Sequence, residues 1–143
     1  MRVLFVDDEP ENVAFVSGLI RSTLGAEVSL AESVDEAIGQ LHARGGDPIA
    51  LVVMDVFVPL GEAVYARGPR ARRAAEGIEH MGGLVLLDEI ERLPNPPRVL
   101  VHTACNDYAM VELLQEHGAW RVPKPASPDV LLRAVMEALQ APP

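Results

Sequence analysis

The chain has 143 residues, 49% hydrophobic and 23% charged, which is the size and make-up of one globular domain that can bury its own core. Its 12 basic residues stand against 21 acidic ones, and the net charge of −9 excludes the molecule-wide basic face that nucleic acid requires. The one cysteine, Cys105, excludes an internal disulfide and Cys-rich zinc sites, and no apolar run approaches the ~20 residues of a membrane span.

The first predicted element is an apolar strand, Arg2–Val6, ending at Asp7-Asp8. Acid arrives too early there for a signal-peptide core, so a cytoplasmic protein is expected. Pro10 suits the first turn of a helix whose stripe is Val13, Val16, Leu19 and Ile20 and which Gly25 ends. A weaker strand, Glu27–Ala31, follows. Ser33 and Glu36 form a capping box for a second helix carrying Val34, Ala37, Ile38 and Leu41, closed by Gly45-Gly46-Asp47-Pro48. Ile49–Met54 is almost wholly apolar and ends at Asp55. Residues 83–92 carry Leu84, Leu87 and Ile90 at helical spacing. A strand over 98–101 ends at His102-Thr103. Asn106 or Asp107 caps a helix through Glu116, with Gly118 beyond it. A strand over 119–122 stops before Pro123-Lys124-Pro125. Ser127-Pro128 opens a last helix carrying Leu131, Val135, Ala138 and Leu139.

Continuous apolar runs of four to eight residues suit strands buried on both faces. Alternation with amphipathic helices predicts an α/β fold, a doubly wound five-stranded parallel sheet with helices on both faces. One connection breaks the rhythm. Between Pro59 and Gly83 lies LGEAVYARGPRARRAAEGIEHMG, with Arg67, Arg70, Arg72 and Arg73 against Glu62, Glu76 and Glu79. Most βα connections take about 2–6 residues. Pro69 is placed to open a short helix over 70–80, with its basic residues unfavourably at the positive end of the dipole.

Ligands bind such sheets beyond the carboxyl ends of the strands. Those ends carry Asp7-Asp8, Asp55, Thr103 and, just past the last strand, Lys124, the only lysine beside eleven arginines. Three converging carboxylates repel one another, and such a cluster persists where a cation neutralises it. Oxygen-only donors suit a hard ion, Mg²⁺ or Mn²⁺. An ammonium and a hydroxyl are what a transferring phosphoryl group needs, and Asp55 is then a carboxylate nucleophile.

In VDDEP (6–10), LVVMDVFVP (51–59), VHTA (101–104) and PKP (123–125), the chain resembles the receiver domain of two-component response regulators. The resemblance covers the whole chain except the long connection. It implies a flavodoxin-like sheet of order 2-1-3-4-5, one receiver domain over 1–141 with an insertion about 60–81, and a tail or linker start at 142–143. It implies that Asp7 and Asp8 are the acidic pair, Asp8 binding Mg²⁺ directly and Asp7 through water. Asp55 is then phospho-acceptor and metal ligand, and the Phe57 backbone carbonyl a further ligand. Thr103 and Lys124 then contact the phosphoryl group. Phe57 and Cys105 stand where the family tunes phosphoryl lifetime. Neither readily orients an attacking water, so slow autodephosphorylation is expected. The aromatic usually found three residues before the lysine is replaced by Arg121, with Trp120 as its candidate displaced counterpart.

The partners implied are a sensor histidine kinase or a histidine phosphotransfer protein and an unidentified output partner, with the chain a monomer or a phosphorylation-dependent dimer. Neither nucleic-acid binding nor membrane insertion is expected. The Arg-rich insertion is a candidate lid or partner-docking segment. The rival reading is a degenerate receiver acting only as a protein-interaction module. An Asp-nucleophile phosphohydrolase would instead carry its nucleophile on the first strand.

Overall fold

A computed structural model describes residues 1–43, 45–61 and 81–141. Residues 62–80 of the expected insertion, with its helix over 70–80 and Arg67, Arg70, Arg72 and Arg73, and the tail at 142–143 lie outside the described residues.

The described elements run β1 (Arg2–Val6), α1 (Glu11–Leu24), β2 (Glu27–Ala31), α2 (Val34–His42), β3 (Ile49–Met54), α3 (Gly82–Glu91), β4 (Arg98–Thr103), α4 (Tyr108–Glu116), β5 (Trp120–Pro123) and α5 (Pro128–Gln140). The five strands form one parallel sheet of order β2-β1-β3-β4-β5. This is the expected flavodoxin-like order. β4 runs two residues beyond the expected strand, because His102 and Thr103 pair with Val122 and Pro123 of β5.

Alternation along the strands divides the core between the two faces. One face sets Leu4, Val6, Val52, Met54 and Val101 against Val34 and Ala37 of α2, Leu86 and Ile90 of α3, and Leu114 of α4. The other sets Val3, Phe5, Leu51, Val53 and Leu100 against Val16 and Ile20 of α1 and Leu131 and Val135 of α5. Leu4, Ile20, Leu51 and Leu100 are fully buried. Each such side chain stabilises the fold by about 1.5–3 kcal/mol, which outweighs any local propensity.

The caps follow the sequence closely. The Ser33 hydroxyl accepts from the Glu36 amide at 3.2 Å, Asp107 from the Met110 amide, and Ser127 from the Val130 amide. Two details differ. Pro10 is the residue before α1 rather than its first helical residue. The Glu36 carboxylate reaches past Ser33 and accepts from the Glu32 amide at 2.7 Å.

The N-terminus of α2 also anchors the segment after β3. The Val34 amide donates to the Pro59 carbonyl at 2.9 Å and the Asp35 amide to Leu60 at 3.1 Å, which satisfies two of the helix's orphan donors. The chain then returns to the point it left, the Gly82 amide donating to the Val58 carbonyl at 2.8 Å and Gly83 to Val56 at 3.1 Å. With both ends pinned, a long connection costs little, since closure entropy grows only slowly with length. Both glycines are required by close approach. A Cβ at Gly83 would stand 2.6 Å from the Val56 Cα and 2.7 Å from the Asp55 carbonyl.

Candidate phosphoryl-acceptor site

The sheet ladder continues past the strands and holds the backbone of the candidate site. The Asp7 amide donates to the Ala31 carbonyl, the Asp55 amide to Val6, and the Lys124 amide to Thr103, each at 3.0 Å. Residues far apart in sequence are thereby delivered to one end of the sheet in fixed register.

There the side chains converge. The Lys124 ammonium donates to Asp7 Oδ2 and to Asp55 Oδ2, both at 2.8 Å. The Thr103 hydroxyl donates to the other Asp55 oxygen, Oδ1, at 2.7 Å. The Phe57 amide donates to that same oxygen at 3.0 Å, and the Glu9 amide to Asp7 Oδ1 at 2.9 Å. Asp7, Asp55 and Thr103 are buried, and the Lys124 side chain is 18% exposed. Asp8 is exposed beside them. The cavity over Asp55 measures about 380 Å³ and is lined by Asp8, Glu9, Asn12, Asp55, Phe57, Ala104 and Lys124.

Charge sets the proton affinities. Burial alone would push the Asp55 carboxyl up, but its bonds from Lys124, Thr103 and the Phe57 amide outweigh burial and hold it below the usual value of 3.8. Lys124 is opposed by burial too, and its bonds to Asp55 and Asp7 hold it above 10.5. Asp8 goes the other way, raised by burial and by repulsion from Asp7. His102, whose Nδ1–H donates to the Val122 carbonyl at 3.0 Å, is pushed below 6.5, mainly by burial. Asp55 is thus a fully ionised, hydrogen-bonded carboxylate facing a solvent-open cavity at neutral pH.

The site's donor chemistry fits a hard divalent cation. Three carboxylates lie beside one ammonium, all donors are oxygen, and repulsion from Asp7 adds to partial burial in raising Asp8. Among the described residues, no three His, Cys, Asp or Glu side chains are already gathered as a metal site. Lys124 instead bridges Asp7 and Asp55.

The structure brings Asp7, Asp8, Asp55, Thr103, Lys124 and Phe57 together at this end of the sheet. It places Cys105 apart, 7% exposed and outside the cavity lining, where Ala104 stands instead. Ala104, Glu9 and Asn12 are cavity residues that sequence reasoning passed over. An alanine carries no chemistry to flag it, although Ala104 lies within VHTA. The Glu9 carboxylate, ahead of α1, accepts from the Asn12 side chain at 2.7 Å. Trp120 opens β5 and is 39% exposed. The side chain that reaches the β4–α4 connection is Arg121, donating to the Cys105 carbonyl at 3.1 Å. His117, the exposed residue that follows α4, pairs with Glu91 at the end of α3.

No family model matches the sequence, and no curated protein matches it either. Solved structures do match in fold. The signal receiver domain of a putative Luxo repressor protein from Vibrio parahaemolyticus superposes with a TM-score of 0.73 at 21% identity, over 97% of this chain and 89% of that one. A putative response regulator from Chloroflexus aurantiacus gives 0.69 at 24% identity, over 98% of both chains. A CheY-like response regulator receiver domain protein from Methanospirillum hungatei gives 0.70 at 21%, over 96% of this chain and 92% of that one. The chain has the fold of response-regulator receiver domains. No described helix is long and apolar enough to cross a membrane.

Proposed function

We propose that this chain is a phospho-accepting receiver, one domain over residues 1–141, that takes a phosphoryl group onto Asp55 from a phosphohistidine of a sensor kinase or phosphotransfer protein in the cytoplasm. The observation that carries the reading is the Asp55 carboxylate itself. It is ionised, buried on its strand side, open to a cavity on the other, and flanked by a hydroxyl at 2.7 Å and an ammonium at 2.8 Å.

In the transfer, an Asp55 oxygen attacks phosphorus and a P–O bond forms. The P–N bond breaks, and its electron pair returns to the imidazole nitrogen. Lys124 turns from the carboxylates to the phosphoryl oxygens, where its charge offsets theirs. Thr103 donates to a second phosphoryl oxygen. Asp8, Asp55 and the Phe57 carbonyl would hold Mg²⁺ or Mn²⁺, with Asp7 contributing through water. That ion supplies neutralisation of the charge carried by the transferring group. The activity is self-phosphorylation and slow self-dephosphorylation, because Phe57 and Cys105 offer no group to orient water. Phosphorylation then biases a surface that an output partner, or a second copy of the chain, reads.

Intact mass after incubation with Mg²⁺ and a small phosphodonor tests this, beside Asp55→Asn. A gain of one phosphoryl unit that needs Mg²⁺ and is absent from the variant is the expected result. No gain in a folded protein favours the interaction-module reading. Deleting residues between Leu60 and His80 then separates a pocket gated by the insertion from one with no acceptor activity.

A further inference from the structure

Arg2 opens the inner strand β1 and carries a charge that nothing in the described fold answers. By alternation it shares its face with Leu4 and Val6, which belong to the core beneath α2. It is half-buried. Its guanidinium makes no hydrogen bond or ion pair among the described residues, and its Nε is closed off from solvent without a partner. A charge taken this far from water is ordinarily paired, because desolvation without a partner is costly. The ladder slips at the same point. Arg2 lies opposite Ile49 and Val3 opposite Leu51, so Ala50 is an extra residue on β3. Such a bulge re-aims the side chains beside it. The Arg2 backbone is held there, its amide donating to the Pro48 carbonyl at 3.2 Å.

Arg2 lines a cavity of about 320 Å³ at the amino ends of the strands, the end of the sheet opposite Asp55. That volume is at the low end for ligand cavities, about 300 Å³, so the occupant is small. Leu41, Ile49 and Leu93 give it an apolar wall, and Leu41 and Ile49 pack on the core. The other polar groups are committed elsewhere. Gln40 Nε2 donates to the Leu30 carbonyl at 2.9 Å, and the Asp47 carboxylate lies 3.4 Å from the Met1 amine rather than on Arg2. Among the described lining residues Arg2 is the only cation, and it is unpaired. The surroundings also limit the charge of what it can bind. Leu41 is in the last turn of α2 and Leu93 lies two residues past α3, so two helix C-termini, each worth about half a negative charge, stand nearby. Together with the net charge of −9 they oppose a doubly charged anion. A single planar carboxylate meets the least opposition and matches the parallel N–H pairs of a guanidinium.

We propose that this cavity is a binding site for a small monocarboxylic acid with an apolar body, its carboxylate on Arg2 and its body against Leu41, Ile49 and Leu93. The carboxylate supplies the acceptors that the Arg2 guanidinium lacks, and the apolar wall excludes water from the contact, which strengthens it. The site is separate from the phosphoryl-acceptor end, and the proposal does not rest on that function.

The experiment is a titration of the ¹⁵N-labelled full chain with sodium benzoate at constant ionic strength, following the amides of Gly45 and Gly46, which line the cavity. Saturable shifts there are expected, with a Kd of about 1–10 mM for so small a probe. The amide of Ala104, at the opposite cavity, should stay in place. Benzamide keeps the shape and loses the charge, and should bind at least about tenfold more weakly. Acetate keeps the charge and loses the body, and should also bind about tenfold more weakly. Arg2→Gln should weaken benzoate by at least about tenfold, and Arg2→Lys, a point charge without the fork, should recover part of the loss. Ala43 is an exposed lining residue, so Ala43→Phe fills the cavity with Arg2 intact and should block benzoate. A dispersed amide spectrum shows that a variant is folded, and if Arg2→Gln is not, Ala43→Phe decides. The proposal is overturned by benzoate shifts confined to Ala104 and its neighbours, by benzamide binding as tightly as benzoate, or by undiminished binding in a folded Arg2→Gln or Ala43→Phe protein. Shifts at Gly45 and Gly46 with inorganic phosphate but not with benzoate overturn it too, since they mark a site for anions of any shape.

Discussion

The two ends of the sheet carry cavities of similar size and opposite character. At the amino ends of the strands, a cavity of about 320 Å³ is lined by Arg2, Gln40, Asp47 and Asn95 among others. At the carboxyl ends, one of about 380 Å³ is lined by Asp8, Asp55 and Lys124. Each has a cation and a carboxylate. At the amino end Asp47 is 53% exposed and sits 3.4 Å from the Met1 amine, so water screens the pair. At the carboxyl end two carboxylates share one ammonium at 2.8 Å with side chains only 7% and 11% exposed. A cavity with charges in it is therefore not the distinguishing feature. Buried carboxylates in excess over their cation are, because only there does the protein retain negative charge that a metal ion can relieve.

The strongest way to break this contrast is Lys124→Met. It leaves Asp7 and Asp55 buried without their ammonium, and the expected loss is about 2–4 kcal/mol in urea unfolding at pH 7, at the low side of a fully buried pair because Lys124 is partly exposed. The loss should shrink in acid as the orphaned carboxylates take up protons. A variant as stable as the parent at pH 7 would place this end of the sheet on the same footing as the amino end. Gly83→Ala tests the floor of the site. Its Cβ meets the Val56 Cα and the Asp55 carbonyl, and a cost of about 1–3 kcal/mol is expected from the forced backbone shift.

The pH dependence sharpens the contrast. Asp55 is lowered, so its contribution is complete above 3.8 and is lost as pH falls through its lower folded value. Lys124 is raised, so the same contact is complete below 10.5 and is lost as pH rises through its higher folded value. His102 is lowered too, and its contribution begins to fall below 6.5. Acid titration of the unfolding midpoint should show two steps, and His102→Gln should remove the one beginning near 6.5. Asp8 has the opposite sign to Asp55. Raised by burial and Asp7, it opposes folding once ionised, and Asp8→Asn should stabilise the apo protein by less than about 1 kcal/mol while abolishing any rise in Tm with Mg²⁺. At the amino end, Asp47→Asn should change stability by no more than about 0.5 kcal/mol. A larger change there would show that exposure is not what separates the two ends.

Much of this was readable from the chain alone. Five apolar runs ending at acids, a threonine and a lone lysine dictated a parallel α/β sheet with its chemistry at one end, because doubly buried strands need continuous apolar side chains. Ser33, Asp107 and Ser127 announced their helices through donors that any helix start leaves unpaired. What remained for the tertiary structure was every distinction that depends on neighbours remote in sequence. Asp7 and Asp8 are adjacent and chemically identical, yet one is buried against Lys124 and the other exposed, since successive residues leave a strand in opposite directions. Glu36 reaches Glu32, and Arg121 reaches Cys105, through distances that spacing does not encode. Periodicity specifies which face a residue takes. Only the packed sheet, by bringing β1, β3, β4 and β5 into register, decides which charges meet and how far water is kept from them.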